Sequence, residues 1–216
     1  MLERPECGLW VVADGMGGHD SGEVASAAIV DALAAIPENA NLEEFVASAV
    51  EALRGVNASL RALARSAPQP TTIGSTVVAV AISAGQMRCL WAGDSRAYRV
   101  RGADITQITR DHSLVQDLVA AGLVKADEAE AHPQAHVITR AVGAADDLEL
   151  ECVSGDAQPD DVFLLASDGL TRVMAPDEIL KLLRTMNPAQ AAHALIETVL
   201  SRGAPDNVSL TICRVR

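Results

Sequence analysis

The 216-residue sequence predicts an α+β fold of packed layers, and three observations carry that expectation. Two runs with helical apolar spacing precede a block of short strands, and two more follow it. The strands are closely spaced and parted by turn residues, which argues for antiparallel meanders rather than βαβ units. No internal repeat, low-complexity linker or domain break interrupts the pattern, so residues 1–216 read as a single domain.

Residues 1–6 read as a turn and 8–13 as a buried strand. Met16-Gly17-Gly18-His19-Asp20 is a Gly-rich loop, after which Ser21 can cap a helix with Glu23 in its first turn. Val24, Ala25, Ala28, Ile29, Ala32 and Leu33 then repeat at helical spacing, up to Pro37. Asn41, with Glu44 three residues on, resembles a capping box. Val46, Ala49, Val50, Leu53, Val56, Leu60 and Leu63 share one face of a longer helix that stops before Pro68. Strands are expected at 76–82, 87–92, 97–101 and 105–108, with Gly85-Gln86 and Gly102-Ala103 as hairpin connections. Residues 113–140 differ. Leu114, Val115, Leu118, Val119 and Leu123 fit one short helix, and the polar, alanine-rich stretch after it reads as a partly mobile flap. Strands at 148–153 and 162–167, helices at 177–186 and 189–202, and a last strand complete the chain.

Composition narrows the function. Apolar residues make up 49% of the chain, enough for a sizeable core. Aromatics are 2%, too few for base-stacking platforms, and a formal net charge of -12 argues against nucleic acid or an anionic membrane as partner. Cys7, Cys89, Cys152 and Cys213 form no C-x-x-C pair and read as small buried hydrophobes in a reducing compartment. No apolar stretch is long enough to span a bilayer and no signal peptide is visible, so a cytoplasmic location is expected.

The chemistry is carried by aspartates at the ends of apolar runs. Residues 9–13 run into Asp14-Gly15, residues 162–167 run into Asp168-Gly169, and Pro205-Asp206-Asn207 opens the last strand. Asp-Gly alone is a common turn dipeptide. Several strand-end carboxylates brought together repel one another unless a cation sits between them. Oxygen-only ligands suit Mg²⁺ or Mn²⁺. The sequence therefore reads as a metal-dependent enzyme.

Six motifs then fall in the order of one family: Ala13-Asp14-Gly15-Met16-Gly17-Gly18-His19, Gly74-Ser75-Thr76, Gly93-Asp94-Ser95-Arg96, Asp111-His112-Ser113, Ser167-Asp168-Gly169 and Pro205-Asp206-Asn207. From residue 8 to the C-terminus the chain resembles the metal-dependent Ser/Thr protein phosphatases, the PPM or protein phosphatase 2C family, and most of all its compact bacterial members. The resemblance implies a four-layer α-β-β-α sandwich of two antiparallel sheets flanked by helix pairs. It implies that Asp14 bridges two Mn²⁺ or Mg²⁺ ions, that the Gly15 carbonyl binds one of them, and that Asp168 and Asp206 bind the other. It assigns a third, weaker ion to Asp111 with Asp168, and a supporting role to Asn207. His19, near the Met16 position where many eukaryotic relatives carry histidine, is the candidate for a general acid or a substrate-positioning residue. Asp94 and Arg96 are expected to tie loops together, Asp111 has the competing reading of a helix cap, and His112 reads as a hydrogen-bonded loop residue.

The implied activity is hydrolysis of phospho-Ser/Thr in proteins, opposing a Ser/Thr kinase, by a monomer. Some such relatives stand beside type VI secretion systems. Two alternatives remain open at this point: a non-catalytic phosphoprotein-binding module with the same fold, and a hydrolase of small phosphate esters. One departure motivates the first. Nothing before Gly8 matches the Arg-x-x-Asn-(Glu/Gln)-Asp strand with which family members usually begin. The expectation is that strand 8–13 lacks its hairpin partner and exposes an edge, and that phosphate and metal are held less tightly.

Overall fold

In the central strands, alternate residues face two different cores. The computed structural model describes all residues except Gly18, Asn39, Ala40, Gln69, Pro70 and Glu130, and all their side chains except those of His19 and Asp20. A five-stranded antiparallel sheet has the order β1 (Leu2–Arg4), β2 (Leu9–Val12), β5 (Val77–Ser83), β6 (Gln86–Ala92), β9 (Glu151–Asp156). A four-stranded antiparallel sheet has the order β11 (Leu210–Arg214), β10 (Val162–Ala166), β7 (Arg96–Arg101), β8 (Asp104–Gln107). In β5, Val77, Ala79 and Ala81 pack against the helices α1 (His19–Ala34) and α2 (Leu42–Ser66), while Val78 and Val80 turn to the other sheet. In β10, Phe163 and Leu165 meet them there, and Val162, Leu164 and Ala166 face α5 (Pro176–Thr185) and α6 (Pro188–Ser201). Both faces of each sheet are thus covered, which is why these antiparallel strands read as continuous apolar runs instead of alternating ones. The result is the expected four-layer α-β-β-α sandwich.

Local chemistry moves several boundaries. Residues 2–4 form β1, paired Leu2↔Val11 and Arg4↔Leu9, so β2 does have an antiparallel partner and the expected open edge is covered. Arg4 donates through Nη1 to the Ile36 carbonyl at 2.6 Å, which spends it on the end of the α1 segment. Helix α1 begins at His19, two residues before the expected cap Ser21. Asn41 caps α2 as expected, but through the Glu43 N–H at 2.9 Å rather than through a box with Glu44. The β5–β6 turn is Ala84-Gly85, both at positive φ, one residue earlier than read; Gly102-Ala103 joins β7 to β8 as expected. Strand β9 starts three residues late, because Leu148 and Leu150 pack on the α1–α2 core before the ladder begins.

The segment after β8 carries α3 (Leu114–Ala120), capped by Ser113, and one 3-10 turn, Ala126–Glu128. Leu123 lies beyond that helix and is exposed. A short ribbon pairs β3 (Gly15–Met16) with β4 (Gly74–Ser75). Cys89 and Cys213 are buried as expected, but Cys152 is exposed and Cys7 half-buried. No helix among the described residues is long and apolar enough to cross a membrane.

Candidate metal centre

The layer architecture brings the motif aspartates to one end of the sandwich. Val12 of β2 and Phe163 and Leu165 of β10 pack together between the sheets, so the residues just past these two strands, Asp14 and Asp168, emerge side by side. Asp14 is fixed by the backbone around it. Its carbonyl accepts from the Thr76 N–H at 2.8 Å and the Ser75 hydroxyl at 2.9 Å, and its N–H donates to Thr76 Oγ1 at 3.2 Å. Thr76 Oγ1 is in turn 2.7 Å from Ser95 Oγ in the β6–β7 turn, which carries Asp94. This explains the Gly74-Ser75-Thr76 and Gly93-Asp94-Ser95 motifs as the clamp of the Asp14 loop. Gly15 packs so closely on α1 that a Cβ there would lie 1.9 Å from the Gly22 carbonyl oxygen.

Asp168 opens a one-turn helix, α4 (Asp168–Thr171). Ser167 binds this strand end to the Asp206 loop: its N–H donates to the Ser209 carbonyl at 2.9 Å, and its hydroxyl accepts from the Ser209 N–H at 3.0 Å. A Cβ on Gly169 would meet the Asn207 carbonyl oxygen at 2.1 Å, so only glycine lets the two segments approach. Asp206 is exposed, and its Oδ1 accepts from the Asn207 N–H at 2.8 Å. Asn207 therefore supports Asp206 through its backbone.

Burial and neighbouring charge both act on these carboxylates. Burial, then the negative fields of Asp168, Asp206 and Asp94, push the Asp14 carboxyl up to about 7. Burial, then Asp168 and Asp111, push Asp94 up to about 6, against the pull of Arg172. Burial also raises Asp168, opposed by Arg172 and helped by Asp206. Asp168 is 9% exposed, and its Oδ1 is a buried oxygen with no hydrogen-bond partner among the described residues. A buried, unpartnered carboxylate oxygen inside a group of like charges is what a hard cation would satisfy. The donors are all oxygens, so the set fits Mn²⁺ or Mg²⁺.

A cavity of about 440 Å³ opens beside the carboxylates, lined by Asp94, Asp168, Asp206, Arg96, Arg172 and the flap residue His136, among others. The expected residues stand there as follows. Asp14, Asp168 and Asp206 lie near enough for their charges to act on one another, but among the described residues their oxygens do not all fall within 4.8 Å of each other; Gly15 follows Asp14 in the short β3 strand. Asp111 lines the same cavity, but both its oxygens accept from the Arg96 guanidinium, at 2.9 Å and 2.7 Å, so it leans on Arg96 and not on the cluster. Burial works against the Arg96 charge and the bonds to Asp111 outweigh it, so Arg96 is held protonated. Here Arg96 ties loops together as expected, whereas its companion Asp94 faces the site. The His19 side chain lies outside the described residues. His112 is a loop residue: Nδ1 accepts from the Gly93 N–H at 3.2 Å, the ring stacks on Trp91, and burial lowers its pKa.

Sequence reasoning missed Asp94, Arg172 and His136 as residues of the cavity. Asp168 and Arg172 stand four apart at a helix start, a spacing that could have flagged Arg172. Asp94 gave the same turn signal as any Gly-Asp dipeptide, and only the packing of its loop on Thr76 aims it inward.

The comparisons with known proteins agree with this geometry. Residues 3–205 match the family model described as protein phosphatase 2C. The chain is 36% identical over 207 residues to the serine/threonine protein phosphatase PstP of Mycobacterium tuberculosis, an alignment covering 96% of this chain but 40% of PstP. It superimposes on PppA, "a key regulatory component of T6SS in Pseudomonas aeruginosa", with a TM-score of 0.89 and 42% identity, covering 99% of this chain and 89% of that one. The PstP catalytic domain in complex with two manganese ions gives a TM-score of 0.84 at 34% identity, covering 96% and 88%. The chain belongs to the metal-dependent Ser/Thr protein phosphatase family, protein phosphatase 2C, in its bacterial type.

Proposed function

We propose that this chain hydrolyses phosphoserine and phosphothreonine in proteins, at a centre where Asp14, the Gly15 carbonyl, Asp168 and Asp206 hold two Mn²⁺ or Mg²⁺ ions. The single observation that carries the reading is the buried Asp168 Oδ1, without a partner among the described residues, beside carboxylates where burial and then mutual repulsion raise Asp14 to about 7. When bound, two dications lower the pKa of a water and neutralise charge on the phosphoryl oxygens during in-line attack.

The remaining work falls to the chain. Asp14, pinned at its carbonyl and N–H by Ser75 and Thr76, supplies a carboxylate whose position does not drift. Ser167 and Gly169 hold the Asp206 loop against Asp168, which keeps the ligands from the two strand ends in register. The cavity beside them opens to solvent under the flap segment, giving a phosphorylated loop of a partner protein a way in. His19 is our candidate for the proton donor to the leaving alkoxide.

The name of the relative PstP, a serine/threonine protein phosphatase, supports the substrate class; we further propose that a Ser/Thr kinase adds what this chain removes, in the cytoplasm, and that the chain acts as a monomer. The experiment is direct. Purified protein with Mn²⁺ is assayed on a phosphothreonine peptide and on sugar phosphates. Mn²⁺-dependent turnover of the peptide that disappears in Asp14→Asn is expected. Turnover indifferent to Mn²⁺, or retained in Asp14→Asn, overturns the reading.

A further inference from the structure

Asp94 and Asp168 are 7% and 9% exposed, and the two buried carboxylates stand close enough for Asp168 to raise Asp94. Such a pair calls for a cation. The chain supplies one. Arg172 Nη2 contacts Asp168 Oδ2 in a tight ion pair and lies 3.7 Å from Asp94 Oδ2. Its side chain is 31% exposed at the wall of the cavity. The other arginine at that wall, Arg96, is committed to Asp111 through both carboxylate oxygens.

The contacts are divided unequally over Asp168. Oδ2 goes to Arg172, and Oδ1 has no partner among the described residues. A dication seated between the Oδ2 atoms of Asp94 and Asp168 would share them with a permanently charged guanidinium, which like-charge repulsion opposes. Ions reached through Asp168 Oδ1, with Asp14 and Asp206, meet no such competitor.

We propose that Arg172 is a built-in cation of the metal centre: its guanidinium bridges Asp94 and Asp168, closes that pair to a metal ion, and turns Asp168 Oδ1 toward the ions held with Asp14 and Asp206. Arg172 is thereby a positioning residue. It limits the centre to two ions where the Asp94–Asp168 pair would otherwise take a third. This inference rests on the phosphatase reading above, and its test separates the two.

The test counts ions rather than turnover. Full-length protein stripped with a chelator is titrated with Mn²⁺ by calorimetry, with free Mn²⁺ followed by electron paramagnetic resonance. Wild type, Arg172→Ala, Arg172→Gln and the double variant Arg172→Ala/Asp94→Asn are compared, circular dichroism reporting that each is folded. Arg172→Gln keeps most of the side-chain volume, so the measurement survives if the alanine variant does not fold. The expected result is two ions in wild type, three in both single variants, and two again in the double variant. Two ions in wild type and in both single variants overturn the Arg172 assignment and leave the phosphatase reading standing. Three ions in wild type overturn it as well. No Mn²⁺ bound by wild type defeats both readings.

Discussion

Without its ions this fold should grow weaker as the pH rises, because it buries carboxylates and sets them where they repel one another. The folded state holds the Asp14 proton up to about 7, whereas the unfolded chain releases it near 4. Between those values the native state binds more protons than the unfolded one, so stability falls with rising pH and the loss is complete above about 7. Each pH unit of difference is worth about 1.4 kcal/mol, so ionising Asp14 costs the metal-free fold about 2–4 kcal/mol, the lower figure allowing for solvent at a half-buried group. For a chain of this size that lowers the melting temperature by roughly 5–12 °C.

Thermal unfolding in chelator, followed by circular dichroism from pH 5 to pH 8, measures this. Wild type should lose stability across the range, and saturating Mn²⁺ should restore it most at pH 8. Asp14→Asn should flatten the slope without abolishing it, since Asp94, raised to about 6, titrates in the same window. A metal-free profile that is level, or an Asp14→Asn profile as steep as wild type, would refute the argument that these carboxylates face one another.

Three further outcomes test other parts of the account. Asp206→Asn should cut Mn²⁺-dependent turnover of p-nitrophenyl phosphate by more than about 100-fold while leaving the melting temperature in chelator unchanged or higher, since it removes a ligand and a repelling charge together. Gly169→Ala places a Cβ 2.1 Å from the Asn207 carbonyl oxygen and should destabilise by about 1–3 kcal/mol in urea unfolding, with weaker Mn²⁺ binding because the Asp206 loop must back away. Arg96→Ala leaves Asp111 largely buried without its guanidinium and should cost about 3 kcal/mol in the same assay, whereas Asp111→Asn should cost less because no carboxylate is stranded.

The sandwich was legible because its signals are local and repeated. The continuous apolar run Val162–Ala166 and the 3.6-residue spacing of Leu53, Val56 and Leu60 leave few alternatives for those segments. Asp14 and Asp168 stood out in the sequence as carboxylates just past buried strands, and Asp206 as one shortly before the last strand. The N-terminus misled. Three residues suffice for β1 because β2 offers a free ladder edge, and neither periodicity nor propensity marks so short a strand. The roles of Asp94 and Asp111 were harder to separate. Both sit in turns next to a polar motif and both line the cavity, and what separates them is Arg96 capturing Asp111 and Arg172 reaching Asp94, contacts made between residues far apart in sequence.

One measurement bears most directly on the whole account: anomalous scattering from a crystal grown with Mn²⁺. Two peaks about 2 Å from carboxylate oxygens of Asp14, Asp168 and Asp206 are expected, with Asp168 engaged through Oδ1. Ordered Mn²⁺ bound elsewhere, with those three side chains left bare, would contradict it.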